Sequence, residues 1–312
     1  MIIKPFVVVS GPTASGKSAL GVDIAKQING AVVNADSLQL FKDLPLLTAQ
    51  PQTAEMFGIQ HHLYGYLEAT TQPKAGIWLN TILSVLNEIW QEGRIPVVVG
   101  GTGLYIMALL KGLSQIPPIS DYVKNKVQSI YDRHDDFYAD VIGYDPLIKN
   151  LYHPNDHKRL RRALEIFLET KKSIMHHFQD QQENGLNKYA YKVYLKPDRE
   201  ILYDRIHRRF DIMLNNGAIE EVDCFLKHHK EAKNLPIFNA LGALEIAQYL
   251  EGDLSRALMI ERAVQKTRNY AKRQYTWFNN QLEHFDTINS AEKLNHEKLR
   301  FFLSNYSLGN DS

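Results

Sequence analysis

The chain has 312 residues, 44 % of them hydrophobic, and a formal charge of only +1 because 36 Lys and Arg nearly balance 35 Asp and Glu. This length predicts one large or two ordinary domains with a substantial core, and the charge balance excludes a polybasic protein but allows a local basic patch. Cys224 is the only cysteine, which excludes an intrachain disulfide and fits a reducing, cytoplasmic location. No apolar run approaches the roughly 20 residues of a membrane span, and the first residues lead straight into a predicted strand. We therefore expect no membrane partner and no signal peptide.

Strands and helices alternate over the first hundred residues of the predicted structure. The runs FVVV, AVVNAD and IPVVVG predict strands, and residues 17–28 and 77–92 predict helices. Near-continuous apolar strands separated by helices are typical of a parallel sheet that is buried on both faces. Ligands bind such a sheet at the carboxyl ends of its strands.

The first predicted strand is followed directly by GPTASGKS, which is the phosphate-binding loop pattern of P-loop proteins. Its glycines allow a tight turn that directs several backbone N–H groups at one anion, and the following helix adds its positive end. Lys17 can reach a phosphate oxygen, and the Ser18 hydroxyl can ligate Mg²⁺. The loop indicates a polyphosphate ligand but no particular nucleoside. The predicted phosphate-binding residues are Gly11, Pro12, Thr13, Ala14, Ser15, Gly16, Lys17 and Ser18.

The second and third predicted strands end in groups that differ from those of a typical P-loop NTPase. Asp36 ends the predicted second strand, where it could cap a turn, bind Mg²⁺ or accept a proton. The third strand ends in Gly100-Gly101-Thr102, where these NTPases usually carry a Mg²⁺-binding aspartate. Glycines allow close approach of the backbone to a ligand, and Thr102 offers a hydroxyl or a helix cap. The missing carboxylate argues against ordinary ATP hydrolysis.

The sequence changes character after IPPIS. Residues 121–186 contain charged helical segments, and YAYKVYL at Tyr189–Leu195 predicts a return to the sheet. Helices are predicted over 198–215, 217–230, 240–250 and 255–278, and the polar residues that follow predict no element. The predicted fold class is therefore α/β, a P-loop NTPase-like parallel sheet flanked by helices, with a smaller helical insertion domain. The core would comprise residues 1–120 and 187–312, and the insertion residues 121–186.

Three of the predicted helices carry clusters of basic residues beside an apolar stripe. They are HPNDHKRLRRALEI, YDRIHRRFDIML and RAVQKTRNYAKRQYTWF. One such helix is usually a solvated surface, but three of them in a near-neutral chain favour a polyanionic substrate, either RNA or a diphosphate. We expect no metal site at the histidine pairs, because they lack further ligands at a usable spacing. The pairs are His61-His62, His176-His177 and His228-His229. We expect the three tryptophans to lie in the core, namely Trp78, Trp90 and Trp277.

Taken together, the motifs resemble those of the tRNA dimethylallyltransferases, also called tRNA isopentenyltransferases. The resemblance rests on GPTASGKS, NADSLQLF, TAQP, HHL, GRIPVVVGGTGLYIMALLKGL, HPND, LKPDREILYDRIHRRFDIML and KTRNYAKRQYTWF, in this order along most of the chain. It implies Mg²⁺-dependent transfer of the dimethylallyl group from dimethylallyl diphosphate to N6 of the adenosine immediately 3′ of a tRNA anticodon. It also implies that this base is flipped into a channel through the protein and that the insertion grips the tRNA anticodon stem-loop. We expect a monomer.

The resemblance further implies roles for individual residues. Asp36 would be the general base on the adenine amine, and Thr102 would hydrogen-bond the oxygen that bridges the diphosphate to the allyl carbon. Arg209, Lys17 and Ser18 would neutralise the leaving diphosphate, with Ser18 as a Mg²⁺ ligand. The implied tRNA-binding residues are Asp36, Ser37, Leu38, Gln39, Thr102, Lys124, Lys158, Arg159, Leu160, Arg161, Arg162, Asn239, Ala240, Leu241, Gly242, Ala243 and Leu244.

This chain departs from the family pattern at four positions that concern RNA contacts. Phe41 and Ala243 stand where tyrosine is usual, Gln50 where lysine is usual, and Asn279 where arginine is usual. Three other interpretations remain open: a P-loop small-molecule kinase, an isopentenyltransferase acting on free AMP or ADP, and a noncatalytic RNA-binding module. The strand end without a carboxylate argues against the kinase, and the insertion and basic helices argue against a free nucleotide. Asp36 and Thr102 would be idle in a binding module.

Overall fold

The computed structural model describes residues 3–114, 116–133, 136–179 and 185–307 of the chain. Contacts divide the chain into two compact units, one formed by Met1–Leu110 with Leu186–Ser312 and the other by Lys111–Gly185. We call them the core unit and the inserted unit. The sequence prediction began the insertion at residue 121 and ended it at residue 186.

The core unit contains a parallel sheet with the strand order β3-β2-β4-β1-β5-β6. Every ladder between neighbouring strands is parallel, so the carboxyl ends of the strands lie along one edge. The α/β class predicted from the alternation of strands and helices is therefore confirmed. The strands are β1 (Phe6–Ser10), β2 (Gly30–Asn34), β3 (His61–His62), β4 (Ile95–Gly100), β5 (Ala190–Leu195) and β6 (Asp286–Ile288).

The helices flank this sheet and also build the inserted unit. The predicted helices of the core unit correspond to α1, α3, α9, α10, α11 and α12. Within the described ranges, no helix pairs the length of a membrane span with sufficient apolar character. In chain order the helices are α1 (Lys17–Gln27), α2 (Thr53–Met56), α3 (Ala75–Gln91), α4 (Gly103–Lys111), α5 (Asp121–Arg133), α6 (Phe137–Tyr144), α7 (His157–Thr170), α8 (Ile174–Gln179), α9 (Arg199–Asn215), α10 (Ala218–His228), α11 (Ala243–Leu250), α12 (Arg256–Gln281) and α13 (His296–Ser307).

The apolar strands are buried on both faces of the sheet. In β1, Phe6 and Val8 pack with α3 and α4 on one face, whereas Val7 and Val9 pack with α1 and α13 on the other. Successive side chains of a strand point to opposite faces, so a strand covered on both sides needs apolar residues at every position. This requirement explains the unbroken FVVV run.

Strand register determines which loops meet at the carboxyl edge. Ser10 at the end of β1 pairs with Gly100 of β4 and with Tyr194 of β5, and Asn34 at the end of β2 pairs with Val99. The segments that follow β1, β2 and β4 therefore start side by side. Asp36 lies two residues beyond the end of β2 rather than in the strand itself, which corrects the predicted strand AVVNAD.

Several features of the core unit were not predicted. The paired histidines His61-His62 form the short edge strand β3, and the polar carboxyl-terminal residues supply β6 and α13. Leu299 and Leu303 of α13 are buried against the sheet. The core positions predicted for Trp78 and Trp90 are confirmed. Trp277 packs against the same cluster but is only partly buried, and it covers Gly103.

The inserted unit has a hydrophobic core of its own. Val127, Val141, Leu160 and Leu164 are fully buried in it. The helix start predicted at Asn155-Asp156 is confirmed, because the Asp156 carboxylate caps α7 by accepting a hydrogen bond from the backbone N–H three residues later, at 3.2 Å.

Candidate active site at the strand ends

The phosphate-binding loop, Gly11–Ser18, joins β1 to α1 through a tight turn. The backbone N–H of Ser15 donates to the carbonyl oxygen of Pro12 at 3.2 Å. Gly16 closes the turn at φ 95°, in the left-handed region that glycine adopts without steric cost. Since α1 begins at the next residue, the positive end of this helix lies at the pocket that the loop borders.

Lys17 and Arg209 each place a cation beside this loop. The Lys17 ammonium donates to the Pro12 carbonyl oxygen at 3.3 Å, and Nη2 of Arg209 on α9 donates to Oγ1 of Thr13 at 2.6 Å. Burial lowers the pKa of Lys17 to about 8, with an opposing contribution from the Asp36 carboxylate. Burial also lowers the pKa of Arg209, which Asp36 again opposes. The loop therefore presents partly desolvated positive charge next to the Asp36 carboxylate.

Asp36 is held in place by the side chain of Asn34, which is fully buried. Oδ1 of Asn34 accepts from the Asp36 N–H at 2.8 Å, and Nδ2 of Asn34 donates to the Asp36 carbonyl at 3.0 Å. Oδ1 of Asp36 also accepts from the N–H of Leu38 at 3.1 Å. These bonds fix the backbone of Asp36 and orient one carboxylate oxygen.

The Gly-Gly-Thr segment crosses the β2 loop at close range. A Cβ added at Gly100 would lie 2.1 Å from the Ala35 carbonyl oxygen, so only glycine fits there. Thr102 donates its N–H to the same oxygen at 3.2 Å, and its Oγ1 accepts from the N–H of Ser37 at 3.0 Å. The two loops are thus bound to each other, and they place Thr102 beside the segment that carries Asp36.

Two pockets meet beside Asp36. The larger has a volume of about 560 Å³ and is lined by Lys17, Ser18 and Arg209, together with other residues of the loop. The smaller has a volume of about 50 Å³ and an apolar wall that includes Phe210. Thr13, Asp36, Thr48 and Arg209 line both pockets. A polyanion in the larger pocket would therefore lie next to a carboxylate that also faces a narrow space with one apolar wall.

The oxygen donors at the larger pocket suit Mg²⁺. In the described ranges no three or more His, Cys, Asp or Glu side chains converge as an all-protein metal site. Mg²⁺ at phosphate sites is instead bound through one or two carboxylates together with substrate phosphate oxygens and waters. The Ser18 hydroxyl lines the pocket and would provide such partial ligation. The donor set fits an ion that arrives with a diphosphate.

The residues expected to contact tRNA differ in exposure. Lys124, Lys158, Arg159 and Arg162 are exposed on the inserted unit, and Arg161 is partly exposed. Leu160 is fully buried in the core of that unit. On the core unit the exposed or partly exposed members are Ser37, Leu38, Gln39, Thr102, Asn239, Leu241 and Leu244, whereas Ala240, Gly242 and Ala243 are buried. The buried members therefore cannot contact RNA directly through their side chains.

Three of the departures from the family pattern have local explanations. Nε2 of Gln50 donates to the carbonyl oxygen of Phe41 at 2.7 Å, so this side chain closes its own loop. Phe41 itself is fully buried and has no need of a hydroxyl. Oδ1 of Asn279 accepts from Nζ of Lys196 at 3.0 Å.

Four residues of the site were not assigned to it from the sequence, although two of them, Arg205 and Arg208, belong to the basic helix that favoured a polyanionic substrate. Nη1 of Arg205 donates to the Ser15 carbonyl oxygen at 2.9 Å, and Arg208 lines the larger pocket. Arg205 lies one helical turn before Arg209, and this spacing places both on one face, so the pattern RIHRR could have identified it. Tyr270 lines the smaller pocket, where burial and Asp36 raise the pKa of its phenol. Gln274 contacts two loops of the site and carried no signal in the sequence.

We expect diphosphate affinity to fall as the pH rises above about 8. Lys17 must be protonated to attract an anion, and the pKa of its ammonium in the free protein is about 8. Above that value the binding must also take up a proton, so affinity drops by up to about tenfold per pH unit. Titration calorimetry with dimethylallyl diphosphate from about pH 6.5 to about pH 9.5 measures this loss of affinity. The range starts above the titration of the phosphate ester itself, which has a pKa of about 6. Lys17→Met should bind more weakly with no such fall. An equally steep fall in that variant would assign the titration to another group.

Comparison with known proteins gives a consistent result. Residues 39–281 match the sequence model of a family described as IPP transferase. A tRNA dimethylallyltransferase of Agrobacterium fabrum is 40% identical over 282 residues, which cover 88% of this chain and 93% of that protein. One from Hyphomonas neptunium is 36% identical over 304 residues and covers 96% of each chain.

Solved structures extend the comparison. A eukaryotic dimethylallyltransferase described as acting on tRNA superposes with a TM-score of 0.81 at 27% identity, covering 99% of this chain and 81% of that chain. The tRNA isopentenylpyrophosphate transferase of Bacillus halodurans gives a TM-score of 0.71 at 27% identity and covers 98% and 99% of the two chains.

Proposed function

Because the chain belongs to the IPP transferase family, we propose that it is a tRNA dimethylallyltransferase, a prenyltransferase that modifies tRNA. Its substrates are dimethylallyl diphosphate and the tRNA anticodon stem-loop, and it acts as a monomer. It transfers the dimethylallyl group to N6 of the adenosine 3′-adjacent to the anticodon and releases diphosphate.

One observation carries this proposal. The pocket beside the phosphate-binding loop meets the narrow, partly apolar pocket at Asp36 and Arg209. A diphosphate ester fits this arrangement, with its charged end at the loop and its reactive carbon toward the carboxylate. A phosphoryl-transfer site would instead carry a Mg²⁺-binding aspartate at the end of β4.

The residues of the site divide the chemistry between them. The bond between the allylic carbon and the bridging oxygen breaks, and a bond from that carbon to N6 of the adenine forms. The N6 proton passes to the Asp36 carboxylate, because an exocyclic amine is a weak nucleophile until a base accepts its proton. Negative charge grows on the leaving diphosphate, where Thr102, Lys17, Arg209 and the loop N–H groups stabilise it.

Mg²⁺ fits this site as a ligand that the diphosphate brings with it. The Ser18 hydroxyl would hold it, together with phosphate oxygens. When bound, the ion neutralises charge on the diphosphate. The base must also leave the stack of the anticodon loop before its amine can react, so we propose that the adenosine is flipped out toward Asp36.

Mass spectrometry of purified tRNA tests the proposal. We expect tRNA incubated with the protein, Mg²⁺ and dimethylallyl diphosphate to gain one dimethylallyl group at the adenosine 3′ of the anticodon. AMP and ADP in place of tRNA should give no product, and ATP should not be hydrolysed. No mass gain on any tRNA would refute the proposal. Prenylated AMP, or rapid ATP hydrolysis without tRNA, would favour the free-nucleotide enzyme or the kinase respectively.

We expect the basic face of α7 to contribute to tRNA binding. Arg159 and Arg162 are exposed there. Each forms an ion pair within the helix and its cap, Arg159 with Asp156 at 3.3 Å and Arg162 with Glu165 at 3.1 Å. Each lost phosphate contact lowers the slope of log affinity against log salt by about one unit. Arg159→Ala with Arg162→Ala should therefore weaken tRNA binding and lower this slope by up to about two units. Affinity for dimethylallyl diphosphate should not change.

A matched variant at the other end of the same helix controls for net charge. Lys171 and Lys172 are exposed just after α7, and changing both to alanine removes the same charge. This control should leave most of the salt dependence in place. Filter binding over a series of salt concentrations measures all three proteins. Equal slopes for the arginine variant and the unchanged protein would show that this face is merely solvated.

A further inference from the structure

Gln274 of α12 is a buried polar side chain that joins two loops of the site. It is 6% exposed. Its Oε1 accepts from the backbone N–H of Thr13 at 2.8 Å, and its Nε2 donates to the carbonyl oxygen of Gly101 at 2.9 Å. Because one partner can only donate and the other can only accept, the orientation of the amide is fixed. Neither a carboxylate nor an apolar side chain can make both bonds.

Each of the two loops carries part of the reaction chemistry. Thr13 belongs to the phosphate-binding loop, and its hydroxyl contacts Arg209 at 2.6 Å. Gly101 immediately precedes Thr102, whose hydroxyl is bonded to the N–H of Ser37 beside Asp36. Gln274 therefore lies between the groups that hold the diphosphate and the groups that act at the bridging oxygen and the amine.

The close approach of Gln274 also explains a glycine. A Cβ added at Gly101 would lie 2.6 Å from Nε2 of Gln274 and 3.3 Å from the Gly11 carbonyl oxygen. The φ of Gly101 lies outside the left-handed region, so its backbone conformation alone does not require glycine. The amide of Gln274 thus occupies the space that a side chain at Gly101 would need.

We propose that Gln274 is a positioning residue for prenyl transfer, which fixes the separation between the phosphate-binding loop and the Gly-Gly-Thr loop. This inference rests on the proposed function. Each loop can still bind its own group when the bridge is broken, but the leaving oxygen and Thr102 no longer meet in the reactive geometry. A displacement of about 1 Å at such a site can cost about 10²-fold in rate. Loss of the bridge therefore slows the chemical step and leaves ground-state binding nearly intact.

Two substitutions break the bridge with little change in volume. Gln274→Glu keeps an acceptor for Thr13 but has no N–H for Gly101, and Gln274→Met removes both bonds. We expect single-turnover prenyl transfer to fall by about tenfold or more in each, with affinities for dimethylallyl diphosphate and tRNA within about threefold of the unchanged protein. Gln265→Glu and Gln265→Met are matched controls, since Gln265 is exposed on the same helix and lines neither pocket.

A second route reaches the bridge from its other end and does not depend on the folding of the Gln274 variants. Gly101→Ala places a methyl group where the amide of Gln274 now lies. We expect this change to slow transfer by about tenfold or more, and the double variant Gly101→Ala with Gln274→Met to be little slower than either single one, because both remove one shared contact. Thermal unfolding and circular dichroism report the folded fraction of every variant.

The measured rates and affinities distinguish support for the proposal from its refutation. A slow chemical step with intact binding and a non-additive double variant supports the proposal. Transfer rates within about threefold of normal in the folded Gln274 variants, or rates and diphosphate affinities that fall in parallel, overturn it. If the unchanged protein transfers no dimethylallyl group under the same conditions, the proposed function is refuted, and the role of Gln274 falls with it. This outcome is distinguishable because it appears in the unchanged protein and not only in the variants.

Discussion

Asp36→Asn is expected to slow single-turnover prenyl transfer by about 10²- to 10⁴-fold, the usual contribution of a general base. Asparagine can still accept the hydrogen bond that Oδ1 of Asp36 receives from the N–H of Leu38, so the loop should keep its conformation. It cannot accept the proton of the adenine amine. Phosphate contacts supply most of the affinity for RNA, so tRNA binding should fall far less than the rate.

The same variant should affect the diphosphate in the opposite direction. The Asp36 carboxylate lies close enough to Lys17 and Arg209 to oppose the lowering of their pKa values by burial. Removal of its negative charge therefore leaves a more positive pocket. Affinity for dimethylallyl diphosphate should therefore be unchanged or higher. The pKa of Lys17 should drop below its value of about 8, which moves the alkaline loss of diphosphate affinity to lower pH.

Rapid quench with labelled dimethylallyl diphosphate measures the rate, and calorimetry at several pH values measures the affinity. Asp253→Asn is a suitable control, because this aspartate is exposed in the loop between α11 and α12. A near-normal rate for Asp36→Asn would make Asp36 a positioning residue and place the base elsewhere. A weaker diphosphate affinity would contradict the electrostatic account.

The sequence predicts those parts of the fold and site that depend on local patterns. The phosphate-binding loop is contiguous and flanked by a strand and a helix, so its conformation follows from its own residues. The parallel sheet follows from the apolar runs, and α7 begins where Asp156 predicts that it should. The proximity of Asp36 and Thr102 could also be expected, because parallel strands end at one edge.

Contacts between distant segments are harder to predict. Gln274 lies in the last third of a long basic helix, and only the tertiary structure brings its amide to Thr13 and Gly101. Trp277 is an aromatic residue near the end of the same helix, and sequence alone does not show that it packs on Gly103 while remaining partly exposed. The edge strands β3 and β6 are too short to show a period of two, so composition does not reveal them.

Arg209→Gln is expected to lower the single-turnover rate by about 10²- to 10³-fold, as does the loss of one donor to a developing oxyanion. Arg209 is partly buried at the junction of the two pockets and is anchored by its bond to the hydroxyl of Thr13. The charge on the diphosphate grows as the carbon–oxygen bond breaks, so a fixed cation contributes more in the transition state than in the substrate complex. The rate should therefore fall more than the affinity for dimethylallyl diphosphate.

Arg209→Lys distinguishes charge from geometry at this position. Lysine keeps the positive charge but lacks the planar fork that can contact Thr13 and a phosphate oxygen together, so its rate should lie between those of Arg209→Gln and the unchanged protein. Arg199→Gln removes a charge from the first residue of the same helix, away from both pockets, and should leave the rate unchanged. Quenched-flow rates and calorimetric affinities for the four proteins show whether the charge or the geometry of Arg209 accounts for its effect. If rate and affinity fall by the same factor in Arg209→Gln, the arginine binds substrate and transition state equally, and stabilisation of the leaving group must come from Lys17 and the loop amides instead.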